Sequence, residues 1–107
     1  MVNTEVIRVI REYLQELSLK GVLISKAFLY GSQTNGTATE ESDIDLMLVS
    51  PVFDDNLEKY LPIIWLSAKR TENRIEPIAV GEKRFRTDDV SPIIGIVHQQ
   101  GIEIAIE

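Results

Sequence analysis

Two aspartates, Asp43 and Asp45, open a run that continues as Leu46-Met47-Leu48-Val49 with only Ile44 between them. Side chains alternate along a strand, so Asp43 and Asp45 share one face while Ile44, Leu46 and Leu48 share the other. The apolar face belongs in a core. Locking it there fixes the acids in register, because a slip of one residue turns every apolar side chain outward. Two carboxylates held this close repel each other unless a cation sits between them. Mg²⁺ suits the pair, since it takes oxygen ligands from one or two carboxylates and completes its shell with water and phosphate oxygens. The plainer alternative is a strand end whose acids are simply solvated.

The residues upstream favour a phosphate ligand. Ala27-Phe28-Leu29-Tyr30 is a short apolar and aromatic run that stops at Gly31, so it reads as a strand entering a turn. Gly31-Ser32 lets backbone N–H groups approach an anion without a Cβ in the way, and Ser32 adds a hydroxyl. A short helical turn after it would present its first amides to the same spot. Gly-Ser alone is a common turn; the pair gains meaning from the acids that follow it.

A third carboxylate has to come from another strand. Arg74-Ile75-Glu76-Pro77-Ile78-Ala79-Val80 offers Glu76, as a metal ligand or general base, with Glu72 upstream in less strand-like sequence. Pro77 lacks a ladder donor, which places this strand at a sheet edge or leaves it paired on one side only. The alternative for Glu76 is an edge glutamate facing water.

Gly31-Ser32 followed by Ser42-Asp43-Ile44-Asp45-Leu46 resembles the signature of the DNA polymerase β-type nucleotidyltransferase superfamily. The short chain is most similar to the minimal nucleotidyltransferases, the MNT-type domains encoded beside HEPN-domain partners. The resemblance extends over nearly the whole chain. It implies that Gly31 and Ser32, with Ser42, serve nucleotide binding, and that Asp43, Asp45 and Glu76 are catalytic and hold Mg²⁺, in two ions. It also implies ATP as nucleotide donor, AMP as the group transferred, and a HEPN-type toxin as acceptor, which would make the chain an antitoxin. Two positions depart from the usual pattern: Asn35 precedes Gly36 where many members carry Arg, and Glu76 stands where Asp is common. These departures keep a second expectation open, a weak or inactive domain that neutralises its partner by binding alone. A transferase acting on a small molecule such as an aminoglycoside would need an acceptor-binding domain, and no sequence remains here to build one.

The charge balance narrows the partners. The chain has 107 residues and a formal net charge of −6, which argues against gripping nucleic acid through its phosphates. Polymerase or tRNA-tailing activity calls for more basic surface. Lys69, Arg70 and Arg74, then Lys83, Arg84 and Arg86, are the local exceptions; they read as a solvated face from which one or two side chains could meet a triphosphate. There is no cysteine, hence no disulfide framework and no thiolate zinc site. The apolar runs are too short to span a bilayer, and no export signal opens the chain, so the expected location is cytoplasmic. Neither homo- nor hetero-oligomers are excluded.

The remaining chain alternates helix and strand. Val6, Ile7, Ile10, Tyr13, Leu14 and Leu17 repeat at three and four, giving a helix from Thr4 to Leu17 with Asn3 as N-cap and Gly21 as its stop. Asp54, Asp55 or Asn56 can cap a second helix carrying Leu57, Tyr60, Leu61, Ile64, Trp65 and Ala68. Pro62 predicts a kink or a fresh start inside it. Ser91-Pro92 starts a short helix through Val97 that Gly101 ends. Ile102, Ile104 and Ile106 alternate with Glu103 and Glu107 in a half-buried closing strand. His98, the only histidine, is expected to cap carbonyls or face solvent, and Trp65 to lie in the core. The whole predicts one α/β (α+β) domain over residues 1–107: a small mixed β-sheet with helices packed mainly on one face and the acids at its exposed end.

Overall fold

A computed structural model describes residues 3–106. Helix α1 spans Thr4–Leu19, and the Asn3 side chain accepts from the Glu5 amide at its start. Strand β1 (Lys26–Tyr30) runs into α2 (Ser32–Asn35), a single turn, and a loop leads to β2 (Ile44–Ser50). Then follow α3 (Val52–Thr71), β3 (Ile75–Gly81), α4 (Glu82–Thr87), α5 (Pro92–Gln100) and β4 (Ile102–Ile104). The strands form one mixed sheet in the order β3-β2-β1-β4. β1 pairs antiparallel with β2 and β4, and β2 pairs parallel with β3 through the α3 crossover.

The alternation read along Ile44–Leu48 sorts the two faces of the sheet. Ile44, Leu46 and Leu48, with Ala27, Leu29, Ile75 and Ile104, pack under α1 and α3 in the larger core. Tyr13 crosses that layer and donates its hydroxyl to the Ile64 carbonyl at 2.7 Å, joining α1 to α3. These two long helices carry most of the helical residues. On the opposite face Met47, Val49 and Val80 are covered by the short α4 and α5 through Phe85, Ile94 and Val97. Phe85 stacks on Phe28 at 5.1 Å and on the His98 ring at 4.2 Å. His98 Nε2 also lies 2.8 Å from the Phe85 carbonyl oxygen, so the histidine binds a carbonyl of α4 and not of its own helix. This second layer covers the Met47 and Val49 part of β2, and at the Asp45 end only the single turn α2 approaches the strands.

Several boundaries differ from expectation for identifiable reasons. The second long helix breaks at Asn56 (φ −149°, ψ 48°), upstream of Pro62, and no backbone departure occurs at the proline itself. Trp65 is not core. It is 41% exposed, because α3 buries Ile64, Ser67 and Ala68 and Trp65 lies around the helix from that stripe, beside Lys69. The closing strand ends at Ile104, the only buried residue of its isoleucine alternation. Ile102 and Ile106 are exposed, and Glu107 lies outside the described residues. Among the described residues no helix is long and apolar enough to cross a membrane.

Candidate functional site

The site follows from the register of three strands. Tyr30 faces Asp45 across the β1–β2 ladder, and Asp45 faces Glu76 across the β2–β3 ladder. Paired residues point to the same face, so these three form a row across the sheet, with strand neighbours about 4.8 Å apart. The row lies at the end of β1 and the start of β2 and β3, on the face whose far part is covered by α4 and α5. β3 is an edge strand, as the missing N–H of Pro77 predicts.

Asp45 is the crowded member. Burial, then the charge of Asp43, then that of Glu76, push its carboxyl above the ordinary value of 3.8. Tyr30 responds to the same surroundings: burial first and the Asp45 charge second push its hydroxyl up to about 12. Asp45 therefore feels both other acids, although Asp43 stands one residue before β2 and is exposed.

Gly31 is dictated by Asp45. Its φ of +76° is a conformation that L side chains rarely adopt, and a Cβ there would lie 2.5 Å from Asp45 Oδ2. The chain thus passes directly over the carboxylate as it turns into α2. Ser32 opens that turn, half-buried, and its hydroxyl makes no hydrogen bond to a described residue. Ser42 differs: its hydroxyl accepts from the Thr39 amide at 2.8 Å and lies 3.2 Å from Thr39 Oγ1, so it shapes the loop before Asp43.

Three further residues complete the site: Gln33, to which the sequence reading gave no role, and Arg74 and Lys69, which it placed in a solvated basic cluster from which one or two side chains could meet a triphosphate. Gln33, only 8% exposed, donates its side-chain amide to the Asp43 carbonyl at 3.2 Å and thereby ties the Gly31-Ser32 turn to the first aspartate. Its signal in the sequence is faint, a single amide in a polar loop. Arg74 donates to the Glu40 carbonyl at 2.7 Å and to Glu72 at 3.3 Å, pinning the same loop to the start of β3 and occupying Glu72, the other candidate third acid. Lys69 reaches Glu76 Oε1 at 3.2 Å. Of the other basic residues, Arg84 pairs with Asp88 beyond the opposite end of β3.

Among the described residues no group of three or more His, Asp or Glu side chains is arranged to hold a metal ion. The donor set nevertheless suits a hard cation: three carboxylates, oxygen only, with Asp45 destabilised by the charges of the other two. Chemically the arrangement combines a glycine-bounded turn, a free hydroxyl and a carboxylate row at an open sheet end.

Comparison with known proteins gives the fold and the family. No curated protein matches the chain. A crystal structure of a protein from Sulfolobus solfataricus named as a nucleotidyltransferase superposes with a TM-score of 0.62 over 94% of this chain and 79% of that one, at 16% identity; the likeness is one of fold. The family profile described as the nucleotidyltransferase domain matches residues 7–106. With that profile spanning almost all of its length, the chain belongs to the nucleotidyltransferase domain family.

Proposed function

We propose that the domain transfers AMP from ATP to a hydroxyl side chain, such as a tyrosine, on a HEPN-type partner toxin, and so acts as an antitoxin. The observation that carries the reading is the cross-strand pairing of Asp45 with Glu76, directly beneath Gly31. Gly31 and Ser32, with the loop that Ser42 shapes, would hold the departing phosphates. Asp43, Asp45 and Glu76 are the residues that would hold Mg²⁺, in two ions, and when bound the metal neutralises phosphate charge and lowers the acceptor hydroxyl's pKa. The acceptor oxygen attacks the α-phosphorus in line, the α–β bond breaks, and pyrophosphate leaves. Glu76 would help to hold the metal or take the acceptor's proton. Most of the catalysis is positioning and charge neutralisation. AMP on the partner would place a negative phosphate and a bulky base beside its RNA-binding surface and repel RNA.

A second reading is favoured by one observation: Glu76 is paired with Lys69, and the acids are not gathered around one point. On that reading the partner is neutralised by binding alone. The experiment incubates the protein with labelled ATP, Mg²⁺ and the HEPN-type product of the neighbouring gene. Label is expected on the partner, with its ribonuclease activity falling in step. If the Asp43→Asn/Asp45→Asn double variant silences the partner equally well, binding alone is the mechanism and the transferase reading fails.

A further inference from the structure

Lys69 makes four contacts within one small region, and all of them concern the third carboxylate. Its Nζ donates to the Asn73 carbonyl at 3.0 Å, to the Ile75 carbonyl at 2.8 Å and to Glu76 Oε1 at 3.2 Å. It also lies 5.3 Å from the centre of the Trp65 ring. An ammonium has three protons to donate, and all three are engaged. The Asn73 carbonyl lies in the turn that joins α3 to β3 and the Ile75 carbonyl is the first of β3, so the charge is anchored by backbone and not by a mobile partner. Lys69 and Glu76 are 34% and 38% exposed, which keeps the pair open to exchange.

We infer that Lys69 is a built-in counter-ion that competes with a divalent cation for Glu76, so that the third carboxylate joins Asp43 and Asp45 only when the metal arrives with its nucleotide. The inference rests on the proposed function of the same site. Carboxylates gathered at one sheet end repel, and a fixed positive charge beside Glu76 relieves part of that repulsion without any ligand. The same charge is an obstacle to a metal that has to take the Glu76 oxygens. A metal bound to triphosphate brings additional contacts at Gly31 and Ser32, and these would offset the lost ion pair. A bare metal ion lacks them. Lys69 therefore selects the metal–nucleotide complex over the free metal. This also accounts for acids that share one sheet end but, among the described residues, are not arranged around one ion.

The test is Mn²⁺ binding in the absence of nucleotide, read by the loss of the free-ion electron paramagnetic resonance signal. Lys69→Met keeps an unbranched apolar side chain and removes the charge. It is expected to tighten nucleotide-free Mn²⁺ binding by about threefold or more, the scale of one half-exposed ion pair. The gain should vanish in the Glu76→Gln background, because the competition has lost its object. Lys69→Gln keeps a donor for the turn carbonyls and carries the same expectation should the Met variant fold poorly. Weaker or unchanged Mn²⁺ binding in both variants overturns the inference, and weaker binding is what a purely structural lysine predicts. A gain that persists with Glu76→Gln overturns it too, since that marks a general field and not competition. Failure of the underlying reading looks different: Mn²⁺–ATP binding would then be indifferent to the Asp43→Asn/Asp45→Asn substitution, whereas failure of this inference alone leaves that dependence intact.

Discussion

Asp45 stands between Asp43 and Glu76 with part of its hydration removed, and its carboxyl is held above the ordinary value by burial first and by those charges second. A carboxylate whose folded pKa is raised disfavours folding whenever it is ionised, and that penalty disappears once it is protonated in both states. The cost is thus absent below about pH 3.8, grows as pH rises through the folded pKa, and is complete at neutrality. Asp45→Asn is expected to melt higher than the parent at pH 7, by a few degrees at most for a half-exposed group, with the gap closing towards pH 3.5. Thermal melts across that range check it; a variant that melts lower at neutral pH would falsify the view of Asp45 as a strained functional acid. The sequence displayed this residue openly, because two acids at the head of an apolar strand break the composition rule for strands. It hid Gln33, and it offered Lys69 only as one of a basic cluster, not as the partner of Glu76. Their roles come from contacts to the Asp43 carbonyl and the Glu76 carboxylate, which no spacing or periodicity announces.

At the scale of elements, the boundary between β3 and α4 shows where local sequence stops being informative. α4 has no side-chain cap of its own, and its N-cap is Gly81. The acceptor comes from the first turn of α3: Asp54 Oδ2 accepts from the Lys83 amide at 2.9 Å and Oδ1 from the Arg84 amide at 3.4 Å. Gly81 is small because any Cβ there would collide with Asp54 Oδ1 and meet its Cα at 3.0 Å. Pro77 marked β3 as an edge strand because a missing donor is a property of one residue. The Asp54 cap depends on residues distant in sequence, and Asp54 was visible only as a candidate start for its own helix. Asp54→Ala is expected to cost about 1 kcal/mol, as loss of a capping side chain does. Gly81→Ala should cost more than that in the parent and less in the Asp54→Ala background, since the carboxylate that a methyl would strike is gone. Urea unfolding of the three variants measures both. Equal costs of Gly81→Ala in the two backgrounds would show that the backbone contact, not the carboxylate, excludes a side chain.

The whole molecule is small, 36 × 31 × 22 Å, with the carboxylate row at one end of the sheet and helices over the rest. On the proposed reading the acceptor belongs to another molecule, and the charge of this domain bears on how the two would meet. Asp and Glu outnumber Lys and Arg by 17 to 11, and the net charge of −6 suits approach to a basic surface such as an RNA-binding partner presents. Attraction of that type acts mainly on encounter and is screened as the Debye length shrinks from about 14 Å at 0.05 M salt to about 4 Å at 0.5 M. Association with the proposed HEPN-type partner is therefore expected to slow by about tenfold or more over that range, while dissociation changes far less. Stopped-flow mixing at a series of salt concentrations reads the two rates separately. An association rate flat with salt would assign docking to apolar contacts instead. The exposed Leu19, Leu23 and Ile106 beside the end of α1 would then be the surface to substitute next, because burial of apolar side chains is indifferent to screening at these concentrations.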